Sequence, residues 1–302
     1  MWIAVALLGA AVSAVLSVSD KIVLNRYMPN AKSLCLLVGI DSLAWGAGAL
    51  LIPPMASGLT AQVFWVSVVS VISGLAWGFS LVIYFTVLGK EEVSRASSIY
   101  HTWPVLVAIL GVAFLGEKLT ALQWLAVMAT IFGAALISNK GSPGRLLSLD
   151  RRTFSWLMLA SALAAVGQFS IKPILDTAPF WTVYGLRNIA TALPFAVYLR
   201  KDALNDLHTA LKSPTGRMVI IGTEVVYATF SVWLTTFAVK LGPVSLVSAL
   251  IGTRSVFTFL YSVVLSSGRI GLLDESLDRG VLISKSIAIG MVVAGVAVIS
   301  LL

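Results

Sequence analysis

Asp41, His101, Arg187, Glu224 and Arg254 each lie inside a long run of hydrophobic residues, where a charge has least reason to be kept. An ionisable group held away from water is costly, and it marks a pathway, a proton relay or a paired structural lock. Arg187 and Arg254 offer fixed donor forks for a carboxylate or a phosphate. Asp41 and Glu224 can meet an ammonium group or take up a proton once stripped of water, and His101 can share in such a relay. Both signs together suit a zwitterion such as an amino acid. The same charges can also pair with one another and leave none for a ligand.

Polar and aromatic residues recur around these groups at helical spacing. Ser73, Trp77, Ser80 and Tyr84 fall at i, i+4, i+7 and i+11, one stripe of a helix. A shift of 151 residues carries that stripe onto Glu224, Ser231 and Thr235, with Tyr227 beside them. Equivalent inward stripes suit a shared substrate cavity, although serines also bond one membrane helix to the next. Asn188 follows Arg187. Ser97, His101 and Pro104 share another face beside Tyr100 and Trp103, and a mid-helix proline leaves a carbonyl without its donor. Trp45, Trp77, Trp103 and Trp233 sit away from the interfacial belt, free to stack on a ligand or simply to pack. Gln168 and Lys172 lie toward the end of one run. Lys172 is the 151-shift partner of Lys21, and this pair suits snorkelling to the interfaces or gripping an anion.

Other chemistries have little support. No nucleophile–base motif occurs, and Asp41 with Glu224 is the only conceivable carboxylate pair for an intramembrane enzyme, so no catalytic residue is assigned. Two histidines (His101 and His208) and the single Cys35 leave no metal site and no internal disulfide to expect. No Gly-x-x-x-x-Gly-Lys-Ser/Thr run occurs, and no cofactor is expected.

The elements that must hold these residues follow from composition. Of 302 residues 58% are hydrophobic and 11% charged, against about 25% charged in ordinary soluble domains. That excludes a soluble enzyme and a disordered or fibrous chain. Reading with a ruler of about 20 apolar residues per crossing predicts an all-α integral membrane protein of ten transmembrane helices. They run 2–24, 33–53, 62–88, 94–116, 120–138, 154–175, 177–199, 217–240, 244–267 and 282–302. The longer connections are 139–153, 200–216 and 268–281. They hold clusters such as Gly141-Ser142-Pro143-Gly144 and Lys212-Ser213-Pro214. Lys90-Glu91-Glu92 and the stretch from Asp274 to Arg279 read as solvated loops, and Asp202 to Leu211 as a short surface helix exposing His208. Met1-Trp2-Ile3 provides no basic region ahead of the apolar run, so a cleaved signal peptide is not expected.

Charge placement predicts orientation. Of the 21 basic residues, Arg187 and Arg254 lie mid-span, and only Lys118, Lys172 and Lys240 fall on the side of connections 2–3, 4–5, 6–7 and 8–9. The other sixteen fall on the opposite side. The positive-inside rule places those sixteen in the cytoplasm and both termini outside the cell membrane. The net charge of +8 is then a topology and headgroup signal, with no need for nucleic acid.

The 151-residue offset recurs elsewhere. Ser19-x-Lys21-x-x-Leu24 falls on Ser170-x-Lys172-x-x-Leu175, Val93-Ser94-x-x-Ser97 on Val244-Ser245-x-x-Ser248, and Thr102 on Thr253. With an insertion in the last loop, Phe132 through Ser138 matches Ala294 through Ser300. Residues 1–139 and 154–302 thus read as two five-helix repeats joined by loop 140–153. An odd number of crossings makes the repeat inverted, an architecture suited to alternating access.

The stretch from Gly89 to Ser98, then Trp103-Pro104-Val105, Leu115-Gly116-Glu117-Lys118-Leu119-Thr120, and the run from Gln123-Trp124-Leu125 to Ile137 resemble the drug/metabolite transporter superfamily, EamA-type. The ten-helix, two-repeat layout extends that resemblance over the whole chain. In the second copy Ser255 replaces Pro104, and Ser267-Gly268-Arg269 replaces the Gly-Glu-Lys turn. Many relatives have cytoplasmic termini, against the charge count here. The resemblance implies transport, in a family that moves amino acids, other metabolites, sugar phosphates, nucleotide sugars and drugs.

The combined expectation is a proton-coupled secondary active transporter, an exporter of a small polar or zwitterionic metabolite. Substrate binding is expected at Ser73, Trp77, Ser80, Tyr84, Tyr100, Trp103, Arg187, Asn188, Tyr227, Ser231 and Arg254. Proton coupling is expected at Asp41, His101 and Glu224. The alternatives are an exchanger of phosphorylated anions or a flippase of a lipid-linked headgroup. The partners expected are a small molecule and the lipid bilayer. The sequence is compatible with a monomer and does not fix the oligomeric state.

Overall fold

The computed structural model describes residues 1–28, 31–52, 61–88, 99–138, 150–266 and 279–301. Ser97, Lys90-Glu91-Glu92, Gly141 to Gly144 and Asp274 to Asp278 lie outside the described residues, and so does the side chain of Lys21. Every regular element among the described residues is a helix. They are α1 (Trp2–Arg26), α2 (Ala31–Leu50), α3 (Ala61–Leu88), α4 (Trp103–Leu115), α5 (Ala121–Ser138), α6 (Arg151–Thr177), α7 (Phe180–Ala192), α8 (Lys201–Lys212), α9 (Pro214–Leu241), α10 (Val244–Ile251), α11 (Arg254–Ser266) and α12 (Arg279–Leu301).

Among the described residues, the stretches Lys32–Leu50, Gln62–Val87, Arg151–Thr177, Pro214–Leu241 and Val244–Tyr261 are long and apolar enough to cross a membrane, and four shorter apolar helices accompany them. Large hydrophobic side chains such as Phe64, Trp65, Phe114 and Leu125 face outward, which water would penalise and lipid does not. The chain is an all-α integral membrane protein. Among the described residues, α8 is amphipathic instead. Its Ala203, Leu207 and Ala210 are buried against Val23, Leu34 and Ile220, while His208 is exposed, as a surface helix requires.

Local chemistry interrupts four of the expected continuous spans. Pro194 ends α7, and Leu193–Tyr198 continues as a 3₁₀ helix. The expected span 94–116 is broken at His101-Thr102, so Pro104 falls in the first turn of α4. A missing donor costs nothing there, and Pro104 therefore does not free a mid-helix carbonyl. The span 244–267 is broken at Gly252-Thr253, between α10 and α11. At the two breaks the Thr102 and Thr253 hydroxyls donate to the carbonyls of Ile99 (2.8 Å) and Leu250 (2.6 Å). A side-chain hydroxyl thus competes for the carbonyl that the helix would otherwise use. Within α9, Ile221–Tyr227 is a π-helical segment carrying Glu224.

The main crossings are α3 with α6, α1 with α9, α5 with α12, α2 with α7, α3 with α7, α1 with α11, and α4 with α10. Two glycines bring the first of these elements together. A Cβ on Gly167 of α6 would lie 2.9 Å from the Ser73 carbonyl oxygen and 3.1 Å from the Trp77 nitrogen of α3. A Cβ on Gly74 would run into the Arg187 carbonyl oxygen of α7. Small residues are what allow membrane helices to approach so closely, and here they bring α3, α6 and α7 together around Arg187.

Candidate ligand-binding site

Arg187 is only 4% exposed. Its Nη1 donates to Thr236 Oγ1 of α9 (3.3 Å) and its Nη2 to Gln168 Oε1 of α6 (3.2 Å). Its Cζ stands 5.3 Å from the ring centre of Trp77 on α3, within cation–π range. Nε has no hydrogen-bond partner among the described residues, and no carboxylate there pairs with the guanidinium. Four helices therefore fix a buried cation using neutral groups alone. The Trp77 ring meets Trp103 edge-on at 5.9 Å, which extends the aromatic wall toward α4.

Asp41 lies in α2, which packs on α7. Its Oδ2 accepts from Thr229 Oγ1 of α9 (3.2 Å), and its Oδ1 has no partner among the described residues. Asn188 spends its amide on its own helix, donating to the Tyr184 carbonyl (2.8 Å).

A second cluster lies by the break before α4. Tyr84 stacks on Tyr100 with centroids 4.3 Å apart, and His101 meets Tyr100 at 5.2 Å. Arg254 opens α11 just after the second break, and the two interrupted spans meet where α4 packs on α10.

The two stripes expected from spacing are placed differently. The Ser73 hydroxyl donates to the Gly167 carbonyl (2.6 Å) and the Ser80 hydroxyl to the Ala160 carbonyl (2.7 Å), with Tyr100 Oη 3.2 Å from Ser80. Ser231 is paired with Ser13 of α1. These serines bond helix to helix, the alternative that the sequence left open. Glu224 is buried, with the Thr223 hydroxyl 3.3 Å away. Tyr227 is 45% exposed. The i→i+5 turns of the π segment do not keep the 3.6-residue period, so a stripe counted through residues 224–231 loses its phase.

Gln168 was visible as an amide at membrane depth but was given no role. Thr236, Thr229 and Tyr184 were not singled out. Thr236 is one residue, roughly 100° of helix, round from the stripe containing Thr235. The usable signal was Arg187 itself, since a buried guanidinium needs oxygen acceptors on neighbouring helices. Lys172 is committed elsewhere, to Asp176 (3.1 Å) and the Lys240 carbonyl (3.3 Å).

Comparison with known proteins matches residues 1–139 to the EamA-like transporter family. A Bacillus subtilis (strain 168) protein, the uncharacterized transporter YxxF, is 31% identical over 167 residues, covering 53% of this chain and 52% of its own. A Sinorhizobium protein described as an uncharacterized transporter in the cobO 3' region is 42% identical over 67 residues, 22% of this chain and 48% of its own. The chain thus spans about half the length of these curated relatives. A crystal structure of a protein 18% identical in sequence superposes over 98% of each chain with a TM-score of 0.68, a likeness of fold.

Proposed function

With residues 1–139 matching the EamA-like transporter family, we propose that the protein is a secondary active transporter. It exports a small polar or zwitterionic metabolite, such as an amino acid, across the cell membrane by alternating access coupled to protons. Arg187 carries this reading. Its fork is held by the neutral oxygens of Gln168 and Thr236 and covered by Trp77, so its charge stays available for a substrate carboxylate. Asp41, with one carboxylate oxygen unpartnered among the described residues, supplies the opposite sign for an ammonium group or a transported proton. Glu224 and His101 are further stations for that proton. The phosphate-exchanger alternative draws on Lys172, and the engagement of that ammonium with Asp176 and the Lys240 carbonyl counts against it.

Two features support ten spans arranged as inverted repeats over 1–139 and 154–302. The span breaks at Thr102 and Thr253 are 151 residues apart and carry the same hydroxyl-to-carbonyl bond. The α3–α6 crossing also has a counterpart in the α1–α9 crossing. Interrupted helices at the interface of inverted repeats are where such transporters hold substrate and ion. In this reading both termini lie outside.

In proteoliposomes, an imposed pH gradient is expected to drive uptake of the substrate, and Asp41→Asn or Glu224→Gln to abolish the dependence on that gradient. Unchanged pH coupling in both variants would remove the two carboxylates from the role.

A further inference from the structure

Glu117 follows Gly116, whose φ of +67° lies in the left-handed region that glycine tolerates. This turn at the end of α4 brings the Glu117 carboxylate to the first residues of α10, in the other half of the chain. There Oε1 accepts from the Val244 backbone N–H (2.7 Å), and Oε2 accepts from the Ser245 backbone N–H (3.1 Å) and the Ser245 hydroxyl. Both carboxylate oxygens are therefore used on the N-terminus of an eight-residue helix, where the exposed N–H groups and the helix dipole favour negative charge.

The same end of the bundle carries other cross-helix contacts. Lys172 of α6 donates to the Lys240 carbonyl at the end of α9 (3.3 Å), Gln62 of α3 donates to the Thr177 carbonyl at the end of α6 (3.2 Å), and Trp2 packs against Gly242. Among these, Glu117 alone brings a charge from one half onto a helix terminus of the other. The helix so held, α10, is a short segment that ends at the break at Gly252-Thr253.

We infer that Glu117 is a gating residue: its carboxylate clasps the start of α10 and holds this face of the molecule shut. The inference rests on the alternating-access reading, in which this face must open once per cycle. Opening parts Glu117 from Val244 and Ser245, whose N–H groups then pass to water. Closing restores the three bonds together.

Accessibility of a single thiol tests this without a known substrate. Cys35 is the only cysteine, so Cys35→Ser provides a clean background. Ser248→Cys then places a reporter one turn into α10, at a fully buried position whose hydroxyl has no partner among the described residues. In sealed vesicles of known orientation, a membrane-impermeant maleimide is expected to label this cysteine slowly while Glu117 is present. Glu117→Ala is expected to raise the labelling rate about ten-fold from this face alone, the shift that losing a charge-assisted hydrogen bond gives a two-state equilibrium. If Glu117→Ala fails to reach the membrane, Ser245→Ala removes the side-chain bond from the other half and is expected to act in the same direction. An unchanged rate in these variants overturns the gate and leaves the transport reading standing. An equal rise from both faces overturns it too, because that reports general loosening. Rapid labelling from both faces with Glu117 intact would instead contradict alternating access, and with it the gate.

Discussion

Arg187 is held in place by groups that do not neutralise it, and the consequences of that arrangement can be measured. Arg187→Ala removes the fork and is expected to weaken substrate binding by about ten- to one-hundred-fold, the scale of hydrogen bonds to a charged group. Gln168→Glu is the sharper probe because it is nearly isosteric. It sets a carboxylate where an amide oxygen now stands 3.2 Å from Nη2, giving the guanidinium an internal counter-ion. Binding of an anionic group is then expected to fall as far as in Arg187→Ala, while detergent melting shows the fold intact. Retained affinity in Gln168→Glu would place the ligand elsewhere. Ser73→Ala offers a contrast, since its hydroxyl is spent on the Gly167 carbonyl. We expect a loss of about 0.6 kcal/mol of stability with transport unchanged. Arg187 and Asp41 were legible in the sequence because a charge in an apolar run stands out. Gln168, Thr236 and Thr229 were not given roles, because an uncharged oxygen acceptor is legible only once its donor's position in space is known.

At the scale of elements, position depends on backbone approach. Gly74 and Gly167 let α3 lie close enough to α7 and α6 for Trp77 to cover Arg187. Gly167→Ala is expected to cost about 1–3 kcal/mol, as overpacking typically does, measured as a lower melting temperature in detergent. It should also impair transport, by displacing Trp77. A stable, fully active Gly167→Ala protein would show that the crossing has slack. Apolar runs and charged ends made the bounds of several described helices legible to within a few residues, among them Trp2–Arg26, Ala61–Leu88 and Arg279–Leu301. Their interruptions were not. Pro104 reads as a mid-helix kink on periodicity alone, yet the Thr102 hydroxyl and the break before it make it the start of a helix. The π segment around Glu224 likewise has no sequence signature, and a stripe counted through it at 3.6 residues per turn was bound to lose register.

For the molecule as a whole, the proposed inverted repeat joins three features: the 151-residue offset, the matched breaks at Thr102 and Thr253, and a site built from α2, α3, α6, α7 and α9. Charge placement sets the proposed orientation, and a tag on either terminus is expected to be reachable by an impermeant reagent from outside intact cells. Composition could say that lipid is the solvent, and charge counting could propose an orientation. Neither could say what is moved, because specificity resides in the few polar groups that the apolar surface encloses. The most direct test of the zwitterion reading is thermal stabilisation of purified protein by amino acids, amines, nucleosides and sugar phosphates, in the native chain and in Arg187→Ala. A ligand that binds only the folded state raises its melting temperature by mass action. We expect an amino acid to stabilise the native protein and to lose that effect in Arg187→Ala. Stabilisation by a sugar phosphate or a simple amine that persists in Arg187→Ala would contradict the assignment.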